Sequence, residues 1–162
     1  MAHVAAFRQI DVIDIRPLPV KLVNIRFLQA NMMDPIPESL VGSTDSLSCL
    51  HALEHFGLGR YGDPIDFDGF LKGYDALHRM LKRQGTLYLS VPIGPQRIEF
   101  NAHRVFSVRF LTDLFSKHYT VEHFSLVDDE GNLHEDIPMP QDQVDISFGC
   151  HYGCGIFELK KL

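Results

Sequence analysis

Short apolar runs separated by polar, proline-containing breaks make up the first third of the chain. The run 10–15, "IDVIDI", stops at "RPLP", and the run 25–29, "IRFLQ", stops before "DPIP". A third run, within "DSLSCLHAL", has its apolar centre at residues 47–53. Runs of this length and β-rich composition, bounded by turn residues, predict three successive strands. The preceding segment "AHVAAFRQ" contains no breaker and predicts a short helical stub.

The spacing of apolar residues then changes to that of a helix. Within "DPIDFDGFLKGYDALHRMLKRQG" they recur at helical intervals, at Phe67, Phe70, Leu71, Tyr74, Leu77 and Leu81. Asp66 is the predicted N-cap, and Gly85 is predicted to lie just past the helix end. Further along, "TLYLSVPIG" predicts a strand, "SVRFLTDLFSK" a helix capped by Ser107, and "YTVEHFSLV" a strand. Residues 128–144 predict a loop, and "VDISFGCHYGCGIFELKK" a last strand or strand pair.

The order of these elements defines a fold class. Strands that alternate with helices predict an α/β domain with a mainly parallel sheet and right-handed crossovers. Long helices are missing between the late strands, so we expect an antiparallel edge at the C-terminal end of the sheet. A chain of 162 residues fits a single domain, and we expect residues 1–162 to form one.

Composition narrows the choice of partners and compartment. The net charge of −6, with no basic stripe, argues against nucleic acid as a partner. Three cysteines are too few for a disulfide scaffold and favour a reducing compartment. The N-terminus has no signal-peptide core, and no apolar run is long enough to span a membrane. We therefore expect a cytoplasmic protein that does not bind membranes.

Two familiar motifs overlap in "HALEHFGLGRYG", residues 51–62. "HALEH" has the H-x-x-E-H spacing of a zinc protease, which requires a helix and a third ligand. The strand-forming residues upstream and the glycines at 57 and 59 leave little room for such a helix. "GLGRYG" has the G-x-G-x-x-G spacing of a dinucleotide loop, but the next strand, "TLYLSVP", carries no terminal acid. A structural loop leading into the helix explains both motifs without a metal or a dinucleotide.

An acid at the end of the first predicted strand indicates a different nucleotide site. Asp14 closes "IDVIDI", the position from which a carboxylate accepts hydrogen bonds from ribose hydroxyls in nucleotide-binding α/β folds. The second strand is followed by the polar residues Asn31 and Asp34, and the third ends near His51.

At this point the sequence resembles a known superfamily. The run "DSLSCLHALEHF…GFLKGYDALHRMLKRQGTLYLSVPIG" is similar to class I S-adenosylmethionine-dependent methyltransferases, as are "FLQANMMDPIP" and "FNAHRVFSVRFLTDLFSKHYTVEHFSL". The resemblance covers roughly residues 10–126. "DIRPLP", "ALEHFGLGRYGDPID" and "FNAHRVF" most resemble an uncharacterised methyltransferase-like family.

The resemblance implies a Rossmann-like fold, S-adenosylmethionine as cofactor, and specific roles for several residues. Asp14 would bind the ribose hydroxyls, while Asn31 and Met32 would lie at the adenine. His51 and Ala52 would lie near the methionine part of the cofactor. Two alternatives stay open, in which Asp14 faces solvent before a proline turn and Met32 belongs to the core.

The resemblance further implies that a methyl group is transferred to a small molecule or sugar-like acceptor. General-base or positioning candidates follow the predicted fourth and fifth strands of such folds: Glu54, His55, His103 and Arg104. The rival hypothesis is a non-catalytic binding or assembly module that retains the fold. "CHYGC" is not expected to bind a metal, because Cys150 and Cys154 would point to one face of a strand and His151 to the other.

One family feature is missing from the sequence. Methyltransferases of this class begin with a strand that ends in a glycine-rich loop and lies at the centre of the sheet. "AHVAAFRQ" contains no glycine and resembles the end of the helix that follows that loop. Two alternatives are open: the sequence is part of a longer product, or another segment or subunit closes the gap, as in a homodimer.

Overall fold

A computed structural model describes residues 2–19, 21–99 and 102–162 of the chain. The helices are α1 (Ala2–Ala5), α2 (Gly69–Met80), α3 (Val108–Phe115) and α4 (Gln141–Asp145). The strands are β1 (Ile10–Asp14), β2 (Ile25–Gln29), β3 (Thr44–Leu50), β4 (Leu81–Ile93), β5 (Arg97–Glu99), β6 (His103–Val105), β7 (Tyr119–Val127), β8 (Leu133–His134) and β9 (Gly153–Lys161). Three short 3₁₀ turns connect these elements at Glu38–Leu40, Leu53–His55 and Ser147–Gly149.

The strands form three hydrogen-bonded groups. β1 and β2 pair in parallel, with Asp14 opposite Gln29 at their carboxyl ends. A five-stranded sheet has the order β3-β4-β9-β7-β8, in which β3 and β4 are parallel and the remaining pairs are antiparallel. β5 and β6 form a separate antiparallel pair. The predicted α/β class, with parallel pairing first and antiparallel strands at the C-terminal end, is confirmed.

The core lies on one face of the five-stranded sheet. Side chains alternate along β4, so Leu87, Leu89 and Val91 are fully buried while Tyr88 is exposed. α2 and α3 cover the buried face, because their apolar stripes contact the same core cluster. Each buried large side chain contributes roughly 1.5–3 kcal/mol to stability, so this layer holds the strand ends in place.

The opposite face of the same sheet carries exposed apolar side chains. Leu50 on β3 and Ile156 on β9 are 58% and 36% exposed. Their strands lie on either side of β4, where Ser90 is the register partner of both residues. We call this surface the open sheet face and define it by Leu50, Ser90, Ile156 and Cys154.

Most elements predicted from the sequence are confirmed. β1, β2 and β7 match their predicted runs to within one residue, and Ser107 caps α3 by accepting a hydrogen bond from the Phe110 amide at 3.2 Å. Asp66 is not the N-cap of α2. Instead, its carboxylate accepts from the Asp68 amide at 3.0 Å and pairs with Lys72, and the helix begins at Gly69 after Asp68.

The structure differs from the prediction at other boundaries too. α2 ends at Met80, before Gly85, because Leu81 is extended and buried and already pairs with Thr44 of β3. The β5–β6 pair was not predicted, and residues 100–101 of "FNAHRVF" lie outside the described residues. The last segment contains one strand, β9. None of the helices in the described ranges is both long and apolar enough to cross a membrane.

Candidate functional site

A cavity lies where the carboxyl ends of β1, β2 and β3 come together. Its volume is about 150 Å³. Six of the residues singled out from the sequence line it: Asp14, Asn31, Met32, His51, Ala52 and His55. Ligands of open α/β sheets bind outside the carboxyl ends of the strands, because loops there converge from neighbouring strands. We call this space the strand-end cavity.

A second cavity, of about 400 Å³, lies between α3, β7 and residues 137–144. Its lining is mostly apolar or uncharged, and Glu122 is the ionisable side chain in it. It therefore offers few chemically reactive groups compared with the strand-end cavity.

Asp14 ends β1 and is held by Arg16, two residues later. Its Oδ1 accepts from the Arg16 amide at 2.9 Å and from Nε at 3.1 Å, and its Oδ2 accepts from Nη2 at 2.9 Å. Hydrogen bonding by Arg16 lowers the pKa of the Asp14 carboxyl. Asp14 is thus an ionised acceptor at the cavity wall, with its side chain 36% exposed.

Asn31 and Met32 follow β2. The Asn31 side-chain oxygen accepts from the Met33 amide at 3.1 Å, which fixes the turn. No other hydrogen bond is recorded for its side chain within the described residues, so the amide nitrogen is available to a ligand. Met32 lines the cavity and also packs against both core clusters, so it is part of the core and of the wall at once.

His51 follows β3 in an unusual backbone conformation. Its φ is +49°, in the left-handed region that non-glycine residues rarely occupy, while its amide donates to the Ser90 carbonyl at 2.9 Å. Such strain persists only where the surroundings enforce it, and it is concentrated at functional sites. The turn directs the His51 ring between the cavity and the open sheet face.

Glu54 lies beneath His51 and His55. It is only 2% exposed, its Oε1 is 3.3 Å from His51 Nδ1 and 3.7 Å from His55 Nε2, and its Oε2 has no partner among the described residues. Burial raises the pKa of the Glu54 carboxyl, and the two imidazoles oppose that shift. The Glu54 carboxyl thus lies between the two imidazoles, closer to His51 than to His55.

His55, like His51, lines the strand-end cavity. Its Nδ1 lies 2.8 Å from the Ala102 carbonyl oxygen, so Nδ1 carries a proton. Its Nε2 then faces Glu54, and the Tyr61 ring packs against its edge with centroids 5.3 Å apart. This arrangement fixes the orientation of the imidazole and supplies a polar group to the cavity wall.

His103 and Arg104 do not line the strand-end cavity. His103 stacks near Tyr152, its Nε2 is buried without a partner in the described chain, and burial lowers its pKa. Arg104 is 3% exposed and donates to the backbone carbonyls of Glu54, Phe56 and Phe67, with its guanidinium 4.7 Å above the Phe70 ring. Its contacts are those of a residue that holds the loop after β3.

The glycine loop binds a carboxylate of the chain itself. Asp63 accepts from the amides of Gly57 and Gly59 at 2.8 and 3.3 Å, and from the Tyr61 amide at 3.1 Å. A nest of successive amides is an anion site, and here Asp63 fills it. Gly57 has φ +77°, and a Cβ there would meet the Asp66 carbonyl oxygen at 2.0 Å, so the glycine is required by packing.

The backbone of residues 51–62 differs from the geometry that each motif requires. Residues 53–55 form a single 3₁₀ turn, too short to place two histidines on one helical face. Within residues 2–19, 21–99 and 102–162, no three His, Cys, Asp or Glu side chains are arranged to hold a metal ion. The loop amides that would contact a pyrophosphate already bind Asp63.

Three features of the candidate site were not predicted from the sequence. Arg16 follows Asp14 by two residues and could have been noticed in "DIRPLP". Tyr61 lies in the cavity wall, with the Arg16 guanidinium 4.6 Å above its ring. Cys154 lies 3.2 Å from His51, across 103 residues of chain, and no local pattern indicates such a contact.

Solved structures with the same fold support the class of the domain. The 1,6-didemethyltoxoflavin-N1-methyltransferase of Burkholderia thailandensis, with bound S-adenosylhomocysteine, is 16% identical with a TM-score of 0.59, over 93% of this chain and 60% of that one. The N-methyltransferase NodS of Bradyrhizobium japonicum WM9, in complex with S-adenosyl-L-homocysteine, is 12% identical with a TM-score of 0.58, over 94% of this chain and 66% of that one. The [4+2]-cyclase SpnF is 12% identical with a TM-score of 0.65, over 99% of this chain and 70% of that one. The chain thus spans less than two thirds of the length of the first two.

The fold is that of a class I methyltransferase-like domain, as the sequence resemblance predicted. Within this class, the chain belongs to the family described as "Caenorhabditis protein of unknown function, DUF268", whose model matches residues 36–146. A search of curated proteins found no match.

Proposed function

We propose that this chain is a methyltransferase-type domain that binds the nucleoside part of S-adenosylmethionine in the strand-end cavity. One observation carries the proposal: the carboxyl ends of three strands bring Asp14, Asn31 and His51 to a single cavity. These residues come from positions far apart in the sequence. The bound S-adenosylhomocysteine of two structural neighbours supports the same choice of ligand.

The described residues fit the nucleoside end of the cofactor. The Asp14 carboxylate is ionised and can accept hydrogen bonds from two ribose hydroxyls once Arg16 moves aside. The Asn31 amide can donate to a ring nitrogen of adenine, and Met32 offers apolar contact to the ring. Arg16 lies at the surface with an exposed side chain, so its displacement requires no rearrangement of the core.

The cofactor, when bound, supplies an electrophilic methyl group. His55 is the described side chain best placed to take a proton from an acceptor, because its ring lines the cavity in a fixed orientation. Glu54 holds the two histidines from below, His103 lies beside His55 with ring centroids 6.0 Å apart, and Arg104 positions the loop that carries them. We propose a small-molecule acceptor and a cytoplasmic setting, which the three free cysteines support.

Isothermal titration with S-adenosylhomocysteine tests this function. The wild-type chain is expected to release or absorb heat on binding and to melt at a higher temperature with ligand, since binding stabilises the native state. Asp14→Ala is expected to lose both signals. Asp11→Ala is the matched control, because Asp11 lies on the same strand, is likewise paired with an exposed arginine, Arg26, and faces away from the cavity. Equal binding by wild type and Asp14→Ala would contradict the proposed site.

A specific observation favours the rival, a non-catalytic binding or assembly module. The cavity volume of about 150 Å³ is below the roughly 300–1,000 Å³ usual for ligand pockets. In addition, both carboxylate oxygens of Asp14 already accept hydrogen bonds from the Arg16 guanidinium. β1 and β3 each pair with one neighbour among the described strands, so each offers a free parallel edge on which a homodimer could form. Light scattering that gives a dimer mass, together with no binding heat at millimolar S-adenosylhomocysteine, would favour the module.

A further inference from the structure

Cys154 contacts a histidine that no function described so far requires it to meet. Its Sγ lies 3.2 Å from His51 Nε2, so the thiol and the imidazole share a hydrogen bond between β9 and the end of β3. The other two cysteines are buried, with Cys49 at 7% and Cys150 at 6% exposure, whereas Cys154 is partly exposed. Of the three thiols, Cys154 alone combines access with an adjacent base.

The other ring nitrogen of His51 is held by a buried carboxyl group. Nδ1 lies 3.3 Å from Glu54 Oε1, and the second oxygen of Glu54 is buried with no partner in the described chain. A carboxyl group at Nδ1 fixes the ring so that the Nε2 lone pair points at the thiol. Covalent catalysis uses the same arrangement, in which a nucleophile contacts a base and a third group orients that base. The left-handed backbone of His51 is the second sign that this geometry is enforced.

The surroundings define what can reach the thiol. Cys154 lies on the open sheet face, where the side chains of Ile156 and Leu50 are exposed. Burial and the nearby Glu54 charge raise the pKa of the Cys154 thiol, so it is protonated at neutral pH. A proton acceptor is therefore needed at the moment of attack, and His51 is in contact.

We propose that Cys154 is a reactive modification site for small disulfides, with His51 as its general base and Glu54 as a positioning residue. His51 Nε2 takes the thiol proton as Sγ attacks one sulfur of the disulfide. A new S–S bond forms to Cys154, the old S–S bond breaks, and the departing thiolate takes up the proton from His51. Cys154 is oxidised, the leaving sulfur is reduced, and no other reactant is required. This site shares His51 with the strand-end cavity, but adduct formation at Cys154 requires no bound nucleoside.

Glutathione disulfide is the probe, and adduct formation is followed by intact mass and peptide mapping at neutral pH. A single adduct on Cys154 is expected, absent in Cys154→Ser. His51→Asn is expected to react about 10²-fold more slowly, because asparagine tolerates the left-handed backbone but cannot act as a base. His123→Asn, at an exposed histidine of β7, is the matched control and should react as wild type.

Glu54→Gln tests the positioning role through the pH profile of adduct formation. The titratable groups that contact His51 are Glu54 and Cys154, and His55 contacts Glu54 in turn, so removal of the Glu54 charge is expected to change the shape of the profile. A merely structural Glu54 would leave the profile unchanged. Circular dichroism checks the fold of each variant. Adducts on Cys49 or Cys150, or an equal rate in folded His51→Asn, would overturn the proposal. If His51→Asn does not fold, mapping of the wild-type adduct decides alone.

Discussion

Arg16 binds both carboxylate oxygens of Asp14 in the place where a nucleoside would present its ribose hydroxyls. The guanidinium donates from Nε and Nη2, at 3.1 and 2.9 Å, and lies 4.6 Å above the ring of Tyr61. Two parallel donors on one carboxylate reproduce the hydrogen bonding of a vicinal diol. Arg16 is therefore an internal competitor for the proposed ligand.

Replacement of this competitor is expected to tighten nucleoside binding. An exposed ion pair contributes about 0.2–1 kcal/mol, so Arg16→Ala should lower the Kd for S-adenosylhomocysteine by up to about fivefold. Titration calorimetry measures the change. Arg26→Ala breaks the comparable pair with Asp11 and should leave the Kd unaltered. Weaker binding by Arg16→Ala would mean instead that Arg16 contacts the ligand.

Arg104 is expected to be a large contributor to stability. Its guanidinium satisfies the carbonyls of Glu54, Phe56 and Phe67, and a lysine ammonium cannot span all three. Arg104→Lys should lower the free energy of unfolding by about 2–4 kcal/mol, because buried carbonyls lose their donors. Urea denaturation gives the value. Arg97→Lys, on the paired strand β5 but with a more exposed side chain, should change it far less, and a similar loss in both variants would count against a special role for Arg104.

His78 is expected to make stability fall in mild acid. Burial lowers the pKa of His78 from 6.5 to about 4, and the nearby Lys161 and His118 act in the same direction. The Asp75 carboxylate partly opposes this shift. The unfolded chain thus takes up a proton near pH 6.5 and the native state only near pH 4. The contribution of neutral His78 to the free energy of unfolding is fully present above pH 6.5 and is lost as the pH falls towards 4.

The change assigned to His78 is about 1 kcal/mol, since the side chain is partly exposed and solvent screens the effect. Thermal unfolding between pH 7 and 4.5 measures it, and the loss of stability over that range should be smaller by this amount in His78→Gln. Identical pH dependence in the two proteins would show that His78 protonates equally in both states.

Local pattern was enough to predict most of the fold. The strands β1, β2 and β7 and the Ser107 cap follow from alternation and capping preferences that act over a few residues. Boundaries set by tertiary contacts were predicted less well. α2 ends at Met80 because Leu81 is drawn into the ladder with β3, a contact that the helical spacing of its side chains does not record.

The site could be predicted only in part, for a similar reason. Asp14 ends a strand, and Asn31 and His51 each come just after one, so the parallel-sheet rule brings them to one edge. The partners that define their chemistry come from elsewhere: Arg16 by a local turn, Ala102 by a hairpin, and Cys154 by the last strand. Arg104 was predicted at the site because of its position in sequence, whereas burial turned its donors towards carbonyl groups.

The two walls of the strand-end cavity belong to different hydrogen-bonded sheets. Asp14 and Asn31 extend from the β1–β2 pair, and His51 extends from the sheet that begins with β3. A nucleoside that contacted both walls would link two sheets that no backbone hydrogen bonds between strands connect. The affinity of the nucleoside would then depend on how much the β1–β2 pair moves relative to the five-stranded sheet when no ligand is bound. Amide hydrogen exchange in β1 and β2 should therefore slow on binding more than exchange in β4.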